Sequence, residues 1–252
     1  MLPSVLVECA HNQSGGGGAP GEAEWTRQLG ERLRSLLAFH HVDVVLVGAW
    51  KDLPPPPQAA GDHALSLHLH YDGAVYGEGK NTGCFADRWA FETMPFEADE
   101  FIRTWERIYP ERTRIPLHNE RRNPNTSRYY AYQDIKVPPA VLIEHGVGAP
   151  VGTQGFPPGD DAALLHGRLN LVAQCDAQAV LEWLRQFGHL PATTEDGSPW
   201  PSVIAERLDP LPGVELTPDQ QAILDTMAGL NANSVSIGDW LNKLGRAAEL
   251  GR

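Results

Sequence analysis

The sequence predicts an α/β fold, with a mainly parallel, twisted sheet, helices on both faces and a short C-terminal helical extension. Short apolar runs typical of buried strands alternate with longer segments whose apolar residues have helical spacing. Parallel strands need such helical crossovers, and helices on both faces explain why the strands are almost continuously apolar. Of the 252 residues 42% are hydrophobic, which is enough to bury the core of one large domain.

The first half of the chain is predicted to form a strand, a loop, a helix and two more strands. A glycine-rich loop at 12–21 precedes a helix with acidic residues in its first turn, where negative charge interacts favourably with the helix dipole. Four prolines at 54–57 force an extended connection before the third strand. The predicted bounds are a strand at 5–7 that ends at His11, a helix at 22–39, and strands at 42–47 and 64–70.

The second half of the chain contains two helices and one strand before its composition changes. Helices are predicted at 91–109 and 164–187, and an apolar, β-rich strand at 139–144. Prolines recur between 189 and 213, which indicates a linker. Two amphipathic helices follow, and they are too short to be stable alone. We therefore predict a main domain at 1–188, a linker at 189–213 and a helical tail at 214–252.

Charge, cysteines and the N-terminal residues narrow the class of protein. The formal net charge of −12 argues against nucleic acid as a partner, because that binding depends on Lys and Arg. Three cysteines without metal-binding spacing fit a reducing compartment, so we expect no structural disulfide. The first residues resemble neither a signal peptide nor a membrane span, so we expect a chain made in the cytoplasm without a signal peptide.

Titratable residues stand at the ends of several predicted elements. His11 and His68 end the first and third strands, Glu144 ends the last strand, and Glu22 and Glu24 begin the first helix. In an open α/β sheet the carboxyl ends of the strands form the binding crevice. Two imidazoles and a carboxylate can hold zinc, and a further carboxylate can act as general base of a hydrolase. Each residue alone is more often structural, so the prediction rests on their shared placement.

These residues resemble the zinc-dependent N-acetylmuramoyl-L-alanine amidases of bacterial autolysins and phage endolysins. The family pattern is Asp-x-Gly-His after a strand, a glycine-rich loop, Glu at a helix start, Ser-x-His, and Pro-x-x-Leu-x-Glu. The resemblance covers about residues 4–188. The matching segments are Glu8-Cys-Ala-His11, Gly15 to Gly18, Glu24-Trp-Thr-Arg-Gln-Leu29, Ser66-Leu-His68 and Pro139-Ala-Val-Leu-Ile-Glu144.

The resemblance implies one Zn²⁺ per chain, held by His11, Glu24 and His68, with Glu144 as the general base. We favour Glu24 because a leucine stands five residues after it, where the family has an apolar residue. Glu22 stays open as an alternative ligand.

Three further residues stand at departures from the family pattern. Glu8 replaces the usual Asp and keeps a carboxylate that can orient His11. His70 stands where a small polar residue is common, and His145 replaces an apolar residue after the proposed base. We expect all three to lie around the metal or to line the substrate cleft.

The resemblance implies a peptidoglycan hydrolase, with a catalytic domain at 1–188, that cleaves the amide between N-acetylmuramic acid and L-alanine. The lack of a signal peptide favours a phage or prophage lysin that acts on the bacterial cell wall. The alternatives are another zinc peptidase or amidohydrolase on a similar sheet, and a catalytically dead wall-binding protein. The tail at 214–252 is predicted to serve wall attachment, self-association as a homo-oligomer, or capping of the domain.

Overall fold

A single sheet of five strands organises the part of the chain described by the computed structural model. Residues 2–12, 18–49, 52–54, 62–73, 82–118, 137–150 and 158–191 are described. The strands are β1 (Ser4–Asn12), β2 (Asp43–Ala49), β3 (Leu65–Asp72), β4 (Phe85–Arg88) and β5 (Ala140–Val147). Their order across the sheet is β2-β1-β3-β5-β4. The strands β2, β1, β3 and β5 are mutually parallel, and β4 pairs antiparallel with β5 at one edge.

Four helices are described, of which three are long. They are α1 (Glu22–Ala38), α2 (Pro95–Thr113), α3 (Ala162–Gly167) and α4 (Leu169–Gln186). A proline at the first position of α2 has the φ that a helix start needs, and it begins the helix four residues later than predicted. The predicted helix at 164–187 is divided at Arg168, whose φ of −132° and ψ of 41° are not helical.

The main core lies between one face of the sheet and the long helices. Alternation along each strand sends Val5, Val7, Leu65 and Leu67 to this face, where they join apolar residues of α1, α2 and α4 in one cluster. On the opposite face, the described residues form two smaller clusters of apolar side chains from strands and loops. The first contains Leu6, Val47 and Val137, and the second contains Phe85, Ala140 and Leu142.

The α/β class and the mainly parallel sheet are confirmed. Helices were predicted on both faces, and the three long helices within the described ranges share one core on one face. The strand β4 was not predicted, because a four-residue edge strand is too short to show an apolar alternation. Every residue of β5 is buried, as its apolar sequence indicates.

The folded unit extends slightly beyond the predicted boundary at residue 188. Leu190 joins the main core, and its backbone N–H donates to the carbonyl of Leu184. The chain divides into the units 1–203 and 204–252. The predicted linker from residue 192 onward and the predicted tail lie outside the described residues. Among the helices that are described, none is long and apolar enough to cross a membrane. Cys9, Cys84 and Cys175 are buried and free.

Candidate metal centre

The backbone of His11 has an unusual conformation at the carboxyl end of β1. Its φ is 64°, in the left-handed region that residues with a Cβ seldom adopt. The pairing of β1 with β2 shifts register between Glu8 and Asn12, so the strand is irregular at this point. Irregular strand ends and strained backbone concentrate at functional sites because they redirect a side chain. Here the imidazole of His11 meets the carboxylate of Glu22.

Glu22, the first residue of α1, joins the elements of the site. One carboxylate oxygen, Oε1, lies 3.1 Å from Nε2 of His11 and 2.9 Å from Nδ1 of His70. The other oxygen accepts the backbone N–H of Ala19 at 2.7 Å. The carboxylate is buried, and a buried charge is stable only when such partners surround it. This side chain therefore links the backbone at Ala19 to His11 on β1 and His70 on β3.

His70 completes the cluster from the neighbouring strand. It lies near the carboxyl end of β3, and its ring centre is 5.3 Å from that of His11, with the two ring planes almost perpendicular. One ligand atom from each of His11, Glu22 and His70 lies within 4.8 Å of the other two. The three side chains thus converge from β1, α1 and β3 on one point at the carboxyl edge of the sheet.

The donor set fits zinc. Two imidazoles and one carboxylate are the protein ligands of many catalytic zinc sites. Bond lengths of about 2.0–2.2 Å put two donors of a tetrahedral zinc roughly 3.3–3.6 Å apart. The N–O distances of 3.1 and 2.9 Å are slightly shorter, so small side-chain movements suffice.

Gly18 leaves room around the candidate ligands. Its φ is +87°, and a Cβ at this position would lie 2.3 Å from Nε2 of His11 and 2.6 Å from Oε2 of Glu22. Any side chain here would collide with two of the three groups. The backbone at Gly18 therefore lies close against the cluster because this residue is glycine.

The charges of the cluster favour an ionised carboxylate. Burial acts to raise the pKa of Glu22, but hydrogen bonds and positive charge from His11 and His70 outweigh it, and the pKa is held well below its usual value. Burial acts to lower the pKa of His11, and the hydrogen bond and charge of Glu22, with the charge of Glu8, raise it above its usual value. The cluster thus offers one negative ligand and two imidazoles.

His68 was expected to bind the metal, and the structure places it outside the cluster of three donors. Its Nδ1 lies 2.6 Å from Oε2 of Glu8, its partner across the β1–β3 pair, and its Nε2 lies 3.3 Å from Oγ of Ser66. His68 and His70 share one face, as alternation requires, but His70 is nearer the carboxyl edge. His68 therefore lies deeper in the sheet and is not part of the cluster.

The Ser66, His68 and Glu8 side chains have the hydrogen-bond order of a Ser–His–acid triad, but they are inaccessible. Ser66 is 0% exposed, so no substrate carbonyl can reach its hydroxyl. Burial acts to raise the pKa of Glu8, and the hydrogen bond from His68 and the charges of the three nearby histidines lower it below the usual value. Glu8 was expected to orient His11, and its direct hydrogen bond is to His68 instead.

Glu24 was expected to be the acidic ligand, and the structure also places it outside the cluster of three donors. Its side chain is exposed and accepts a hydrogen bond from Nε2 of Gln28 at 2.8 Å, one helical turn further along α1. Residues two apart on a helix do not face the same side, so Glu22 and Glu24 cannot both point into the sheet. The alternative ligand, Glu22, is the residue that the structure brings to His11.

Glu144 lies beside the cluster on the next strand. It pairs with His70 across β3 and β5, and its neighbours at alternate positions, Ala140 and Leu142, belong to a cluster on the same face as Leu6 and Val47. Adjacent strands are about 4.8 Å apart, so paired residues on one face are close neighbours. Its carboxylate is not one of the three grouped donors. This placement is compatible with a base, and the catalytic role stays a prediction.

His145 was expected to lie around the metal or to line the substrate cleft, and its side chain points to the opposite face of the sheet. Its imidazole is buried among Trp25, Trp105 and Tyr109 in the main core. Successive residues of a strand point to opposite faces, so the residue after Glu144 cannot share its face. His70, by contrast, was assigned only to the surroundings of the site and is a member of the cluster.

One sequence signal favours His70 over His68. The family pattern has a small polar residue two positions after its histidine ligand, and Asp72 stands two positions after His70. His68 is followed at this distance by a second histidine, which does not fit. No comparable signal separates Glu22 from Glu24, because the choice depends on where the first turn of α1 begins.

Comparison with solved structures identifies the fold. No family profile matches the chain, and no curated protein matches its sequence. The amidase Ami1 from Mycobacterium smegmatis matches with a TM-score of 0.54 at 16% identity, over 73% of this chain and 97% of that one. The N-acetylmuramoyl-L-alanine amidase from Clostridium difficile 630 gives 0.54 at 14% identity, over 73% and 97%. AmiC2 of Nostoc punctiforme gives 0.52 at 14%, over 73% and 97%. The chain has the α/β fold of these amidases.

Proposed function

We propose that this protein is a zinc-dependent N-acetylmuramoyl-L-alanine amidase that cleaves the amide between N-acetylmuramic acid and the L-alanine of the peptidoglycan stem peptide. The observation that carries the proposal is the cluster of His11, Glu22 and His70 at the carboxyl edge of the sheet. In open α/β folds this edge is where ligands bind. The substrate class is supported by the names of the structures that share the fold.

His11, Glu22 and His70 would hold the zinc and leave a fourth position open. A bound zinc supplies a Lewis acid that polarises a carbonyl and lowers the pKa of a coordinated water. The hydrogen bond from Ala19 to the second oxygen of Glu22 fixes the orientation of this carboxylate before any metal arrives. Such supporting contacts restrict ligand movement and favour one geometry of the site.

Glu144 is the proposed general base. Glu144 is paired with His70 across β3 and β5 and is not one of the three grouped donors, so its carboxylate would serve to take a proton from the attacking water and not to bind the metal. The same carboxyl group then passes the proton to the departing amine of L-alanine. One residue thus serves as base and then as acid, and the amide nitrogen leaves as a neutral amine.

Metal content and product analysis test the proposal together. Purified protein is analysed for zinc and then incubated with purified cell walls, before and after chelation and zinc restoration. We expect about one zinc per chain, a fall in turbidity that chelation abolishes, and products with a new N-terminal L-alanine and an intact lactyl group. Cleavage within the stem peptide would identify a zinc peptidase instead. Zinc-free protein that binds walls without cleaving them would identify a wall-binding protein and contradict the proposal.

A further inference from the structure

His145 and Asp176 form a polar pair inside the apolar core, behind the candidate metal centre. Both side chains are 0% exposed. Nε2 of His145, on β5, lies 3.0 Å from Oδ2 of Asp176, on α4. The other carboxylate oxygen of Asp176 accepts the indole N–H of Trp105 at 2.8 Å. A buried carboxylate is tolerated only where its oxygens are satisfied in this way.

The second ring nitrogen of His145 reaches the main chain of a candidate ligand. Nδ1 of His145 lies 2.9 Å from the backbone carbonyl oxygen of His70. The backbone carbonyl oxygen of His70 carries no hydrogen, so Nδ1 of His145 is the donor in this contact. The imidazole therefore connects helix α4 to the backbone of β3 at the position from which the imidazole of His70 projects.

The backbone near the contact between His145 and His70 is irregular, so hydrogen bonds from core side chains can help to fix its position. The pairing of β3 with β5 shifts register between His70 and Asp72. Gly146, next to His145, has φ +153°, and the hydroxyl of Tyr109 donates to the carbonyl of His145 at 2.8 Å. A register shift weakens the constraint that the regular ladder places on nearby backbone. Side-chain hydrogen bonds from the core replace part of this constraint.

We propose that His145 and Asp176 are positioning residues that fix the backbone of His70 and thereby aim its imidazole at His11 and Glu22. The pair acts from the opposite face of the sheet and touches neither metal nor substrate. This inference rests on the proposed function, because it assigns the pair to a metal ligand. Removal of supporting contacts behind metal ligands typically weakens metal binding 10-fold to 100-fold.

The test measures zinc affinity in the folded, full-length chain by competition with a chelating dye. His145→Leu removes the imidazole that contacts His70 and Asp176. Asp176→Asn replaces the carboxylate beside His145 with an amide of nearly the same volume. The double variant His145→Leu/Asp176→Leu replaces the whole pair with apolar groups, so neither partner is left buried without a hydrogen bond. We expect zinc dissociation constants roughly 10-fold to 100-fold higher in all three variants.

Val180→Ala is the matched control, because Val180 is also buried in α4 and its side chain has no polar atom. Its melting temperature is expected to fall while its zinc affinity stays unchanged. If the double variant or Asp176→Asn is folded and binds zinc as tightly as the parent, the positioning role is wrong. An equal loss of affinity in Val180→Ala would also overturn it, because general loosening of the core would then explain the effect. If the parent chain itself binds no zinc, the proposed function fails and this inference fails with it.

Discussion

At the scale of single residues, the candidate centre depends on two choices. One of the acids at positions 22 and 24, and one of the histidines at positions 68 and 70, has its side chain beside His11. Glu22 is buried against His11 and His70, whereas Glu24 is exposed on α1. His68 lies deeper and is bound to Glu8. These pairs offer matched variants in which the same chemical change is made two residues apart.

We predict that Glu22→Ala and His70→Gln lose bound zinc, whereas Glu24→Ala and His68→Gln retain it. Removing one of three protein ligands leaves an incomplete site. Glutamine at position 68 keeps a donor for the buried carboxylate of Glu8, so the fold is preserved. Zinc is measured by elemental analysis after gel filtration. The assignment is wrong if Glu24→Ala releases the metal while Glu22→Ala keeps it. It is also wrong if His68→Gln releases the metal while His70→Gln keeps it.

Glu144→Gln is expected to lower turnover by about a hundredfold to ten-thousandfold, the usual contribution of a positioned acid or base. Glutamine keeps the size of the side chain but cannot accept the proton of water. Zinc content should stay at the parent level, because Glu144 is outside the group of three donors. Loss of zinc in this variant would identify Glu144 as a ligand, and full activity with zinc retained would exclude it as the base.

His40 gives a prediction about stability and pH that is separate from the metal centre. Burial, with smaller effects from the charges of Arg185 and His41, lowers the pKa of His40 to about 4. An unfolded histidine has a pKa of about 6.5, so between these values the unfolded chain binds the extra proton. Stability therefore falls as pH decreases from about 6.5 towards 4, and this residue has no such effect at higher pH.

His40→Gln removes this titrating group and should reduce the dependence of the unfolding free energy on pH. Between pH 7 and 5 the parent should lose roughly 1 kcal/mol more unfolding free energy than the variant, a value reduced for partial solvent screening. Urea denaturation at both pH values measures the difference. Equal losses in parent and variant would show that His40 does not carry this part of the acid sensitivity.

At the scale of secondary-structure elements, the centre forms where strand ends meet a helix start. The parallel strands β1, β3 and β5 bring His11, His70 and Glu144 to the same edge, and the first residue of α1 brings Glu22. Gly18 lies in the connection between β1 and α1, close to the side chains of His11 and Glu22. Gly18 is therefore part of the site.

Gly18→Ala is expected to weaken zinc binding and activity. The new Cβ would lie 2.3 Å from Nε2 of His11, and the residue would have to keep a φ of +87° that favours glycine. The backbone must shift, and the two ligands with it. Gly167→Ala is the control, because nothing lies within 4 Å of a Cβ built at that position. Zinc affinities of the two variants are compared, and equal values would contradict the proposed close packing of the loop.

At the scale of the whole molecule, the main core lies against one face of the sheet, and it includes Leu190 near the end of the described residues. Leu190 packs into the core, so the domain has to include residues beyond the predicted end at 188. The role of the tail at 214–252 stays a prediction, since those residues lie outside the described part of the chain. We propose that the tail serves wall attachment or self-association.

A chain that ends at Pro191 should stay folded and cleave soluble muropeptides at the parent rate. It should bind purified walls less, or differ from the full-length chain in oligomeric state by light scattering. The physical reason is that short helices are marginal alone and need a partner surface. If the shortened chain is insoluble or has a markedly lower melting temperature, the tail caps the domain instead. Unchanged wall binding and oligomeric state would contradict both proposed roles.

The sequence by itself determined the class of fold and the edge of the sheet at which the candidate site forms. Apolar runs set the strand positions, and helical spacing set the helices to within a few residues, because both patterns are local. His11 could be placed at this edge because it lies near the end of a strand, whereas Glu144, predicted at a strand end, lies within β5 and is paired with His70. The shortest strand and the division between α3 and α4 were missed, since four residues or one non-helical residue leave almost no periodic signal.

Only the tertiary structure decided which side chains meet. The sequence placed Glu22 and Glu24 in one helical turn, and the direction from which α1 packs on the sheet turned Glu22 inward. His68 and His70 lie on one face of one strand, and the register between strands put His70 at the edge and His68 against Glu8. Periodicity reports the face of an element, whereas depth along a strand and rotation of a helix depend on contacts between residues distant in the sequence.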